Sequence, residues 1–143
     1  MKTIITISII LLLIGSLKAK SFGAKAQEDK RFAEISEHIT RTTTEGLEIL
    51  NRALKLKPEV NERLSTKSLG EHVEEFSSGS DPIKPIGWEV VRNRAMNRWR
   101  IVFYYQMNDQ SYRAAEWEYN DETKKLYPFE FVNSPTFWAG EKR

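Results

Sequence analysis

Hydrophobic positions change their spacing once along this chain, and the change divides it. From about Glu28 to Lys57 the apolar residues Phe32, Ile35, Ile39, Leu47, Leu50 and Leu54 recur at steps of three or four, or sums of these. That is the period of one helical face. The stretch Arg41-Thr42-Thr43-Thr44-Glu45-Gly46 interrupts it. β-Branched residues and glycine lower helix propensity, so the helix kinks or splits there. Pro58 disfavours helix at Lys57 and ends the segment. The same proline is expected to open a short second helix carrying Val60 and Leu64. A third helix starts at Ser68-Leu69-Gly70-Glu71, whose Ser-x-x-Glu spacing is that of a capping box. Leu69, Val73 and Phe76 then share one face.

Beyond Ser77-Ser78-Gly79-Ser80-Asp81-Pro82-Ile83-Lys84-Pro85 the pattern becomes alternation. Four strands are predicted, near Ile86–Asn93, Arg98–Met107, Ser111–Tyr119 and Leu126–Val132. In the second, Trp99, Ile101, Phe103 and Tyr105 point one way, and Arg98, Arg100, Val102 and Tyr104 the other. A three-residue loop, Asn108 to Gln110, sets Phe103 opposite Ala115, Ile101 opposite Trp117, Trp99 opposite Tyr119 and Arg100 opposite Glu118. That register satisfies a core face and pairs charges on the other. A four-residue loop at Arg94–Asn97 sets Val90 opposite Ile101 and Trp88 opposite Phe103. Tyr127, Phe129 and Phe131 are expected to join the aromatic face. Pro128, which cannot donate to a ladder, makes strand four an edge. Ser134-Pro135 reads as the start of a short helical turn through Phe137 and Trp138.

The expected fold is therefore α+β: a long amphipathic helical segment, then a four-stranded antiparallel meander with helix packed on one face. Residues 27–76 form the helical segment, 77–85 the linker and 86–143 the sheet with its C-terminal turn, so that 27–143 make one domain. In shape this layout resembles the helix-plus-curved-sheet arrangement of cystatin-like and nuclear-transport-factor-like folds, which names no activity.

Residues 1–26 stand apart. Met1-Lys2 precedes 15 uncharged residues, Thr3 to Leu17, and small residues and lysines follow. This is the layout of a secretory signal. As a helix the run would span about 22 Å, short of the roughly 30 Å hydrocarbon core. That favours cleavage, after Ala19 or after Ala26. An uncleaved anchor, with Lys2 and Lys18 reaching the interfaces, is the alternative. The expected location is thus exported, periplasmic or secreted after cleavage, or anchored in the membrane by residues 3–17.

The leader also shapes the charge balance. The chain carries 22 basic and 20 acidic residues. A cut after Ala19 removes Lys2 and Lys18 and leaves 20 against 20; a cut after Ala26 also removes Lys20 and Lys25 and leaves 18 against 20. A near-neutral domain gives no argument for a nucleic-acid partner. The absence of cysteine excludes disulfides and thiol chemistry, so stability rests on burial.

Candidate chemistry is sparse. His72 and Glu75 are three apart on a helix but lack the further ligands of a metal site, and an acidic, solvated helix face is the expected reading. His38 carries no motif. Glu116 and Glu118 share a strand face, where Arg100 is expected to pair with them rather than leave them as an acid–base couple. No phosphate-binding or nucleophile-elbow motif is present, and no cofactor is expected. Arg92, Arg94, Arg98 and Arg100 crowd the first hairpin and read as salt-paired surface, or as a contact for headgroups or an acidic partner.

The second sheet face is less polar than a solvated face should be. It carries Val91, Val102, Tyr104, Tyr112 and Ala114 among its charges. Either the N-terminal helical segment covers it or it meets another chain or a ligand; Val91, Arg100, Val102, Tyr104 and Tyr112 are the candidate binding residues. The expected function is a non-catalytic binding or assembly subunit of the cell envelope, with a protein partner and membrane contact through the N-terminal segment. The alternative is a ligand pocket, enzymatic or not, lined by Trp99, Phe103, Trp117 and Phe129 between helix and sheet.

Overall fold

The computed structural model describes residues 22–94 and 96–129. Residues 1–21 of the leader, the last residues of the fourth strand and the turn expected at Ser134-Pro135 lie outside the described residues. Helix α1 spans Phe22–Thr40 and α2 spans Thr44–Ala53. A two-residue ladder follows, β1 (Glu59–Val60) with β2 (Arg63–Leu64), then α3 (Leu69–Ser77). The strands β3 (Lys84–Asn93), β4 (Arg98–Gln106), β5 (Tyr112–Asn120) and β6 (Lys125–Pro128) form an antiparallel meander in that order. The class is α+β, with helices on both faces of the sheet rather than on one.

The long helical segment splits at its weak point, and the split has a structural use. α1 ends in tight turns, Arg41 N–H donating to His38 O and Thr42 N–H to Ile39 O. Thr43 then caps α2 by accepting from Gly46 N–H at 3.1 Å. Between them Thr42 meets the free edge of β3. Its hydroxyl accepts from Val90 N–H at 2.9 Å and donates to Trp88 O at 3.4 Å. A side chain here replaces a neighbouring strand and blunts an edge that would otherwise be open to pairing. Gly46 permits the approach, since a Cβ there would lie 3.1 Å from Val90 O and 3.2 Å from Thr42 Cγ2.

The chain therefore wraps the sheet edge. α2 and α3 pack on one face, where Ile49, Leu50, Ala53 and Leu69 join Trp99, Ile101, Phe103, Tyr105, Trp117 and Tyr119 in the core. α1 lies over β3 on the other face, burying Ile35 against Ile86 with Phe32, Ile39, Tyr104 and Tyr112 alongside. α3 begins with its capping box intact: Glu71 N–H donates to Ser68 Oγ at 3.3 Å and Ser68 N–H to Glu71 Oε2 at 2.7 Å. Its first turn also docks on α2's end, with Gly70 N–H donating to Leu54 O at 2.9 Å.

The short helix expected after Pro58 is instead the β1–β2 hairpin. Asn61 and Glu62 both hold positive φ, 50° and 63°, as a two-residue hairpin turn of primed type requires. Proline suits the entry to a turn as well as to a helix, so the residue alone did not decide.

The strand registers match the expected ones: Val90 pairs with Ile101, Trp88 with Phe103, Phe103 with Ala115, Ile101 with Trp117 and Trp99 with Tyr119. Gln110 closes the three-residue loop at φ 70°, and Met107 N–H donates to Ser111 O. The last strand corrects the expectation. Leu126 pairs with Tyr119 and Pro128 with Trp117, so these face the core. Tyr127, opposite Glu118, therefore faces the other side, and Phe129, whose N–H donates to Glu116 O, follows it there by strand alternation. A register one residue from the expected one moves every side chain to the opposite face.

Candidate functional site

The second face is organised around a carboxylate. Pairing with Val102 puts Glu89 on this face, and α1 covers it, leaving its side chain 3% exposed. A buried carboxylate is costly without donors. Glu89 has two: the Tyr104 hydroxyl donates to Oε1 at 3.0 Å, and His38 Nδ1 lies 3.2 Å from Oε2. Arg41 Nη1 also lies 3.2 Å from His38 Nδ1. One ring nitrogen cannot both donate to the carboxylate and accept from the guanidinium. Glu89 Oε2 is buried and needs the proton, whereas the exposed Arg41 has Glu37 at 3.3 Å and solvent. The Nδ1 position of His38 is therefore assigned a proton directed at Glu89.

The His38 ring stacks on Tyr104, with centroids 6.2 Å apart and planes at 27°. Both line a groove of about 340 Å³. Its helical wall is the stripe Arg31, Glu34, Ile35 and His38, and its sheet side is Tyr104, Tyr112, Arg113 and Ala114. Burial first, then the neighbouring Glu89 charge, raises the Tyr104 pKa well above the ordinary value of 10.0. Tyr112 is raised too, by burial and by Glu28 and Asp29 of α1.

Beside this cluster the charges pair diagonally. Arg100 faces Glu118 in register, yet its guanidinium grips Glu116, Nε on Oε1 and Nη2 on Oε2 at 3.0 Å. Arg98 likewise reaches Glu118, at 2.8 Å, past its register partner Asn120. Sheet twist brings such diagonal neighbours within reach of long side chains. The bond to Glu116 raises the Arg100 pKa further. Glu116 and Glu118 are thus held in separate ion pairs, and no acid–base couple forms from them.

The five residues singled out from the sequence fall in four settings. Tyr104 and Tyr112 line the groove. Arg100 is tied to Glu116, and Val91 is 37% exposed near the far end of β3. Val102 is 1% exposed and offers no surface. The sequence reading missed Glu89 and His38 as a pair. Their only local signal is a carboxylate on a face that otherwise reads as outward, and a pairing across 51 residues leaves no local pattern.

Elsewhere, His72 is buried, 8% exposed, which corrects the expected solvated position. Glu75 pairs with Lys67. Among the described residues no three His, Asp or Glu side chains gather to hold a metal. Trp99, Phe103 and Trp117 are each at most 4% exposed and packed as core, while Phe129 stands on the opposite face. Arg92 lies over the Trp99 ring, 5.9 Å from its centroid. No family model, no curated protein and no solved structure matches this chain.

Proposed function

We propose that this chain is an exported or membrane-anchored protein of the cell envelope that works without catalysis, as a binding or assembly subunit with a protein partner. The observation that carries the reading is the uneven cover of the second sheet face. α1 lies over β3, whereas Phe129, 45% exposed, and the half-buried Tyr127 stand at the β6 end of this face, beside Glu116 and Glu118. Exposed aromatic residues are enriched in protein interfaces. The leader supplies the location. It meets the fold at Phe22, where α1 begins: a cut after Ala19 leaves α1 whole, and a cut after Ala26 removes its first five residues.

The test is purification of a tagged full chain from its native host in mild detergent, with intact mass of the bait and crosslinking from position 129. A stoichiometric partner crosslinked there, and lost in Phe129→Asp, supports the reading. A monomer recovered alone overturns it.

A second reading, a small-ligand protein, is favoured by one observation: the groove of about 340 Å³ is lined by His38, whose ring a buried carboxylate holds, and by Tyr104 and Tyr112. It moves the pocket from the aromatic core face to the α1 side.

A further inference from the structure

The arginines of the β3–β4 hairpin divide into two kinds. The stretch from Arg92 to Arg100 holds four arginines and no acidic residue. Arg98 and Arg100 are taken up by their own sheet, in ion pairs with Glu118 and Glu116. Arg92 and Arg94 are exposed, and among the described residues neither has a carboxylate within ion-pair distance. The nearest turn offers no relief through Asp121: its N–H donates to Asn97 O, and its carboxylate is held by Arg52 and Lys124. Arg92 is nonetheless steadied, with its guanidinium over the buried Trp99 ring, 5.9 Å from the centroid. A stacked guanidinium keeps its donor edges free and gives up less freedom on binding. Val91, 37% exposed, and Met96, 52% exposed, accompany the two charges. Arginine and methionine are enriched in protein contact surfaces.

Two observations choose the occupant. The first is the path of α1. Its last turn reaches Glu89 through His38, Ile35 packs on Ile86, and Glu28 and Asp29 lie close enough to act on Tyr112. The chain therefore enters the fold at the end of the sheet that carries the β4–β5 loop, and the hairpin tip lies at the other end. Along β4 the two ends, Gln106 and Arg98, are about 26 Å apart. A chain anchored by its leader thus points the tip away from that bilayer. A tip built to enter headgroups also exposes Trp or Tyr, and here Trp99 is 4% exposed. The second observation is the row across the uncovered face. Val91 pairs with Arg100, Arg100 with Glu118 and Glu118 with Tyr127, so Val91 and Tyr127 stand about 14 Å apart on one row. A protein surface that covers Tyr127 and Phe129 is wide enough to reach the tip. We infer that the tip of the β3–β4 hairpin is the charged rim of that interface, and that the partner is a protein with an acidic surface whose Asp or Glu carboxylates take the donors of Arg92 and Arg94. Val91 and Arg92 point to opposite faces of the sheet, so the acidic surface wraps the end of the hairpin. This rests on the protein-partner reading and names the partner's chemistry.

The experiment places a photoreactive side chain at position 96, and in a second sample at position 129, of the tagged full chain in its native host. Both positions should crosslink the same protein, and mass spectrometry should place the crosslink from position 96 in a segment rich in Asp and Glu. A capped hexaglutamate peptide should compete with that crosslink, and added salt should weaken it. With the purified partner, Arg92→Gln combined with Arg94→Gln should weaken binding about tenfold, and Arg94→Gln alone about threefold, with the unfolding midpoint unchanged. A partner crosslinked from position 129 but not from 96, and indifferent to the double substitution, overturns the acidic contact and leaves the protein-interface reading standing. Crosslinks from position 96 to lipid, to nucleic acid or to a protein segment without acidic residues overturn it as well. No protein crosslinked from either position overturns both.

Discussion

The two faces of this sheet are covered by halves of one helical segment, yet they are held by different physics. Under α2 and α3 the face is filled: Trp117, Tyr119, Phe103 and Ile101 are at most 1% exposed, and ring contacts such as Trp88 on Phe103 at 4.8 Å carry it. Under α1 the apolar contact is smaller, Ile35 on Ile86 with a few neighbours. Polar pairs do the rest: Glu89 with Tyr104 and His38, Arg100 with Glu116. A filled face has no room for a ligand, and its residues answer to packing. A face held by oriented polar groups leaves a groove. Structure and candidate function thus separate onto opposite sides of one sheet.

Four measurements would sharpen or break that division. The largest effect is expected on the filled face. Trp117→Ala should cost about 4 kcal/mol in denaturant unfolding, as large-to-small changes in cores do. A loss below about 1 kcal/mol would show that the face is not close-packed. On the other face Glu89→Ala removes one buried carboxylate and takes the acceptor from the half-buried Tyr104 hydroxyl and from His38, and should cost about 2 kcal/mol. Hydrogen exchange should then quicken in α1 while β4 and β5 stay protected. Equal loss across the sheet would mean that the two faces unfold as one unit. Ser68→Ala deletes half of the capping box and should cost about 1 kcal/mol, confined to α3 on the filled side.

The smallest effect is a pH dependence. The folded Tyr104 pKa is raised by burial and Glu89, so the folded state holds the proton where the unfolded chain releases it. The stabilisation is complete below the ordinary value of 10.0 and is lost as pH rises from there through the higher folded value. Unfolding midpoints should fall between about pH 9 and pH 11, and less steeply in Tyr104→Phe. Tyr119, raised by burial and by Asp121 on the filled side, contributes to the remaining slope. An identical slope in Tyr104→Phe would remove Tyr104 from the account.

Local signals were legible in the residues themselves. Alternation in β4 and the parity of its partners gave the β3–β4 and β4–β5 registers, because a shift of one residue would have put charges into the core. Ser68 and Glu71 marked α3, because a capping box closes within four residues. The weak propensity of Arg41–Gly46 marked the break in the helix. The register of β6 was missed. The segment is four residues long and carries apolar side chains at consecutive positions, so both parities looked acceptable. Asn61 and Glu62 turned a residue pair that fits helix or hairpin into a hairpin, through dihedral angles that no side-chain pattern announces.

The sequence by itself determined the class and the filled face, since period and parity are local properties of a chain. Where the broken helix would go was decided only in three dimensions. Thr42 had to meet the edge of β3, across 48 residues, before α1 could reach the second face. Only then did His38 come to Glu89. Contacts between residues that far apart depend on the assembled fold, and the groove and the Glu89–His38–Tyr104 cluster exist only as such contacts.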